Sequence, residues 1–129
     1  MSEQASGRST ITWFEIPCAD LDRAQKFYET ILGSSMKHDD FGDTNDVMAV
    51  FCYERPGVGG ALVKREFQKP SELGTMVYLD CHGALDAVID RIGPAGGAMV
   101  MPKTPVPGGF GHFACFRDSE GNHVGLHAA

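Results

Sequence analysis

The sequence predicts an α+β chain made of two copies of a βαβββ module. Three observations lead there. Apolar periodicity orders the segments as strand, helix and three strands, and then repeats that order. The second run follows the first by 63 positions, a spacing shared by Cys18 and Cys81, Cys52 and Cys115, Thr12 and Thr75, Ala24 and Ala87, Gly33 and Gly96, and Met36 and Met99. Finally, 129 residues with 43% hydrophobic and 22% charged content suit one compact domain with its own core.

Residues 1–10 are polar and small and read as a tail, which leaves one domain over 11–129 with modules 11–66 and 74–129. The β-branched and aromatic run 11–16 reads as a strand ending at Pro17. Asp20 is placed to cap a helix over 21–32, whose stripe of Leu21, Ala24, Phe27 or Tyr28, and Ile31 faces inward; Gly33 stops it. Strands are expected at 36–41, 47–54 and 61–64, with a Pro-Gly turn over 55–60. In the second module 75–80 reads as a strand and 83–92 as a helix with Leu85, Val88, Ile89 and Ile92 inward. The Gly-Pro cluster 93–97 is expected to end that helix. Strands at 98–101, 111–117 and 123–127 follow, the last two joined by a turn over 118–122.

Composition excludes several partners. A net charge of −6 without a cluster of Lys and Arg argues against nucleic acid, because binding a phosphate backbone needs basic side chains to release counterions. No apolar run approaches the ~20 residues of a membrane span, and the opening lacks the apolar core of a signal peptide. The four cysteines form no C-x-x-C pair and read as reduced, small hydrophobes of a cytoplasmic protein.

The run from Ile11 through Asp20-Leu21 and Phe27-Tyr28 to Leu32-Gly33 resembles the opening of the vicinal oxygen chelate superfamily, which includes glyoxalase I, bleomycin-resistance proteins and extradiol dioxygenases. The segment Arg117-Asp-Ser-Glu-Gly-Asn122 resembles the Asp-Pro-x-Gly turn before that group's last strand, with Ser119 where proline is usual. The resemblance implies a cup-shaped mixed sheet with the helices outside, a small-molecule ligand in the cup, and a homodimer. It also implies four metal positions on the first and last strands of the modules, which in this register fall at Trp13, Leu62, Met76 and Gly125. None of these offers a donor for a hard or borderline divalent ion. The expectation is therefore no metal and no cofactor, and neither glyoxalase I chemistry nor extradiol cleavage by the family's route.

Strand alternation then sorts the remaining candidates. With Trp13 facing the cup, Glu15 does too; with Gly125 facing it, so do His123 and His127; Tyr78 and Asp80 accompany Met76, and Gly60 and Lys64 accompany Leu62. His123 and His127 are about 13 Å apart along a strand at ~3.3 Å per residue, too far to share an ion, which leaves Glu15 with a single His as the alternative by which a metal site is rebuilt. Glu15 either binds or deprotonates a ligand with its pKa raised by burial, or pairs with Lys64, Arg65 or a backbone donor. Trp13, Met76, Tyr78 and Phe110 suit a flat organic ligand, and His112 follows a Gly-Pro-rich connection that reads either as a lid or as a plain hairpin loop. The leading expectation is a metal-free, bleomycin-resistance-like binder. The alternatives are a metal-independent lyase or isomerase using Glu15 with His123 or His127 as acid and base, and an accessory protein whose cup is vestigial.

Overall fold

The computed structural model describes residues 9–40 and 47–129. Most of the expected tail, and Phe41 at the end of an expected strand, lie outside the described residues.

Ten elements follow in order: β1 (Trp13–Pro17), α1 (Leu21–Leu32), β2 (Lys37–Asp39), β3 (Met48–Val50), β4 (Gly59–Val63), β5 (Tyr78–Asp80), α2 (Leu85–Ala95), β6 (Ala98–Pro105), β7 (His112–Arg117) and β8 (His123–Ala128). They build two mixed four-stranded sheets of matching order, β1-β4-β3-β2 and β5-β8-β7-β6. In each, the first and last strands of the module run parallel and the other pairs antiparallel. This is the duplicated βαβββ arrangement, in two open sheets.

Local chemistry fixes the helix ends. The Asp20 carboxylate accepts from the Arg23 N–H at 3.0 Å, meeting one of the donors that an α-helix leaves free at its start. Gly33 takes a left-handed φ of 69° and donates to the Glu29 carbonyl at 2.9 Å, a turn that a Cβ would strain. Helix α2 runs past its expected stop to Ala95, with Pro94 inside its last turn, and Gly96 in the left-handed region closes it. Strand β5 is shorter than expected and β6 longer, with two register shifts along it.

One core joins both modules. Ala24, Phe27, Tyr28 and Ile31 of α1 and Leu85, Val88 and Ile92 of α2 pack with Ile16, Ala49 and Leu62 from one sheet and Leu79, Ala114, Phe116 and Leu126 from the other. Phe27 meets Phe116 at 5.9 Å between ring centroids, and Tyr28 meets Phe51 edge-on at 5.5 Å. On the sheet face away from the helices, Met48, Ala61 and Val63 form a second cluster with Trp13 and Val50 against it.

That division corrects one expectation. Leu62 pairs with Ile16 and is fully buried on the helix side, so neither it nor its same-face neighbours Gly60 and Lys64 accompany Trp13. The reason lies in register. Glu15 stands opposite Ala61, whereas Tyr78, its counterpart 63 positions on, stands opposite Gly125. The repeat has lengthened by one residue before the last strand, and one residue reverses every side chain of a strand. The position equivalent to Gly125 is Ala61.

Candidate functional site

The face shared by Trp13, Glu15 and Ala61 in the first sheet corresponds to that of Tyr78, Gly125 and Cys115 in the second. Glu15, in the middle of β1, is half-buried and fully partnered. Arg65 donates to both its oxygens, at 2.5 and 3.4 Å, and the Trp13 indole N–H donates at 3.2 Å. The Arg65 hydrogen bond outweighs the opposing effect of partial burial, and the Glu15 carboxyl is held below its ordinary pKa. The raised pKa expected of a proton-transferring Glu15 is thus reversed, and the pairing with Arg65 is the one realised.

In the second sheet the Tyr78 ring lies over Gly125, where a Cβ would come within 2.4 Å of a ring carbon. Glycine therefore lets the aromatic ring lie flat on the strand, and Phe113 meets it at 6.2 Å. His127 Nε2 donates to the Phe110 carbonyl at 2.7 Å, a geometry that puts the ring proton on that nitrogen. The bond ties the loop between β6 and β7 to β8. The loop also closes on itself from Val106 N–H to the Gly111 carbonyl at 2.8 Å, leaving Phe110 and His112 exposed. Met76 lies half-buried just before β5.

The seam between modules is lined by β1, the stretch before β5 and the start of β8. A cleft of about 100 Å³ opens there, bordered by Glu15, Lys69, Ser71, Thr75, Asn122 and His123 among others. Glu15 and His123 thus share one cleft, and His112 and His127 are absent from its lining. No bond links the pair through the ring's outer nitrogen: His123 Nε2 is buried without a hydrogen-bond partner among the described residues.

Sequence reasoning missed what holds this seam. Glu120, in the turn before β8, accepts from the backbone N–H groups of Ala19 and Asp20 at 2.9 Å each and from Arg23 Nε at 2.7 Å. Burial pushes the Glu120 carboxyl up, but Arg23, the two backbone donors and Ser119 overcome it and hold its pKa at about 2. Buried Asp118 accepts from Tyr28 Oη at 2.7 Å and from the Asn122 backbone at 2.9 Å, and Asn122 Nδ2 donates to the Pro17 carbonyl at 2.7 Å. The only signal in the sequence was the turn itself. Cys18, Cys81 and Cys115 are buried free thiols whose pKa values burial raises, that of Cys18 to about 12, so they pack as small hydrophobes; Cys52 is exposed.

A family described as bleomycin resistance protein-like N-terminal matches residues 10–47, and no curated protein matches the sequence. A fosfomycin resistance protein, FosX, from Listeria monocytogenes is similar with a TM-score of 0.64 and 17% identity, over 95% of this chain and 92% of that one. A glyoxylase/bleomycin resistance protein/dioxygenase domain from Frankia sp. gives 0.68 and 20% over 95% and 93%. A glyoxalase I variant from Zea mays gives 0.65 and 22%, over 90% of this chain but 45% of the maize chain. The fold is that of the vicinal oxygen chelate superfamily.

Members of that superfamily bind small ligands: a FosX variant was crystallised with Mn(II) and 1S,2S-dihydroxypropylphosphonic acid. Tested against such a metal, this chain does not fit. With Ala61 in place of Leu62, the four positions at which the resemblance expects metal ligands become Trp13, Ala61, Met76 and Gly125. An indole, a methyl group, a lone thioether and a glycine supply no ligand set for a divalent ion of that kind. Among the described residues no group of three or more His, Cys, Asp or Glu side chains is placed to hold a metal ion. No helix among them is long and apolar enough to cross a membrane.

Proposed function

We propose that this chain binds a small organic molecule on the non-helical face of its sheets, without the superfamily's metal. The observation that carries the reading is that the four expected metal positions hold residues with no donor for a hard or borderline divalent ion, on faces that keep aromatic side chains. Tyr78 is the central contact proposed, with the half-buried Trp13 beside it and Met76, Phe110 and His112 at the periphery; such rings suit a flat, drug-like ligand. The match of residues 10–47 to the bleomycin resistance protein-like family supports a ligand of this kind. A homodimer is part of the proposal, as is a reducing, cytoplasmic setting, which the free thiols favour.

Proton transfer by Glu15 with His123 or His127 is less well supported, since Arg65 keeps the Glu15 carboxylate ionised and His127 is committed to Phe110. The test is elemental analysis of dialysed protein beside a ligand screen run with and without chelator. The expected result is no stoichiometric transition metal and hits that a chelator leaves unchanged. Retained metal, with binding or turnover lost on chelation, overturns the reading.

A further inference from the structure

The cleft at the seam is bordered by Lys69, Ser71 and His123. Lys69 carries no ion pair among the described residues. The Ser71 hydroxyl accepts from the Leu73 N–H at 3.0 Å and keeps its own proton to donate. His123 Nε2 is buried without a partner among the described residues, and an occupant of the cleft that His123 borders would supply one, since a buried ring nitrogen left unpaired is costly. The carboxylate at the rim, Glu15, is already neutralised by Arg65. In a chain of net charge −6, this is a site for an anion.

An exposed aromatic ring adjoins it. Lys69 also borders an open groove of about 360 Å³ with Lys64, Arg65, Glu66 and Phe67. The Phe67 ring is 83% exposed and has the Arg65 guanidinium 5.8 Å from its centroid; Leu73, at the cleft, is 86% exposed. A cleft of about 100 Å³ is too small for a drug-sized molecule, but it admits an anionic head whose body lies outside on Phe67.

We propose that the seam binds a small aromatic carboxylate, its head against His123 and Lys69 and its ring on Phe67. This rests on the reading that the chain binds a small organic ligand, and adds a second seat, apart from Trp13 and Tyr78, and a chemical class. The test titrates the full chain with benzoate and phenylacetate, and with uncharged benzamide, following backbone and imidazole NMR signals. The carboxylates are expected to shift His123 and residues 67–71 and to bind about tenfold more tightly than benzamide. Lys69→Met, at an exposed position that leaves folding unchanged, should weaken the carboxylates about tenfold, while Lys69→Arg retains binding. His123→Gln should weaken them as well, and Phe67→Ala should weaken acids and amide alike. Equal binding of acid and amide, untouched by Lys69→Met, overturns the inference. If the shifts then fall on Trp13 and Tyr78, the small-ligand reading survives it. Absence of binding by every probe at millimolar concentration overturns the inference, and a screen that also finds no other ligand overturns both.

Discussion

In the first module the sheet face away from the helices is closed: Met48, Ala61 and Val63 are buried, with Trp13 and Val50 packed against them. In the second, the corresponding face leaves Tyr78 52% and Met101 41% exposed. The topologies match, so the difference arises in side chains at equivalent places. Glu15, opposite Ala61, is drawn to Arg65; Tyr78, opposite Gly125, lies over a bare backbone. A duplicated module can thus keep its strand order while one copy seals a surface that the other leaves open for contact. The connections before the last strands differ in the same way. The 118–122 turn is buried at both ends and bonded across the seam, whereas the 52–58 connection is exposed along its length.

The largest effect should come from breaking that second contrast. Asp118→Ala removes the acceptor of the buried Tyr28 hydroxyl and of the Asn122 and Glu120 N–H groups, and is expected to cost about 3 kcal/mol in denaturant unfolding. Glu54→Ala, in the exposed counterpart, should stay within about 0.5 kcal/mol. Comparable losses at the two sites would mean that the turns do equivalent structural work, and the contrast would be wrong.

Next come the two glycines under aromatic rings. A Cβ at Gly60 would come within 2.3 Å of the Phe14 ring, which packs into the shared core, and one at Gly125 within 2.4 Å of the Tyr78 ring, which is half-exposed and can swing away. Gly60→Ala is expected to cost about 1–3 kcal/mol by overpacking, and Gly125→Ala clearly less. Thermal unfolding of the two variants side by side gives the answer. Equal losses would indicate that Tyr78 is held as firmly as Phe14 and that the second face is not open.

What could be seen in the sequence follows the range of the forces involved. Asp20 and Gly33 act within one helical turn, so the bounds of α1 follow directly from residue type. The apolar stripes of both helices, and the inward Val124 and Leu126 of β8, follow from periodicity. Leu62 was misplaced because a constant 63-residue offset hides the extra residue between α2 and the last strand of the second module, and a strand's parity turns on one residue. The bonds of Glu120 to Ala19 and Asp20 span about a hundred residues and leave no periodic trace. Glu15 could be read only as a buried charge in need of a partner, with Arg65 one choice among several. Lys69 and His123 meet through the packing of two modules, which no local pattern encodes.

Acid tests the seam by itself. A carboxyl whose folded pKa lies below its unfolded value stabilises the fold above the unfolded value and loses that contribution as pH falls through the folded one. For Glu120 the window runs from its ordinary value of 4.5 down to about 2. Stability of the native chain should fall across that window, and Glu120→Gln should flatten this part of the profile while lowering stability at neutral pH. A profile unchanged by the substitution would show that the bonds to Arg23, Ala19 and Asp20 add nothing to the joining of the modules.

The smallest effect concerns the cause assigned to the closed face. Arg65 is the strongest influence lowering the Glu15 carboxyl, and partial burial works against it. Arg65→Met should therefore raise the Glu15 pKa, because burial persists when the hydrogen bonds are gone. Carbon-13 shifts of the Glu15 side-chain carboxyl, followed through an acid titration, report this directly. The Trp13 indole N–H, which donates to the same carboxylate, should shift with it. If the Glu15 midpoint stays where it was, Arg65 is not what draws this side chain across the sheet. The first face would then owe its closure to the apolar packing of Met48, Ala61 and Val63, and Glu15→Tyr would be the substitution to open it.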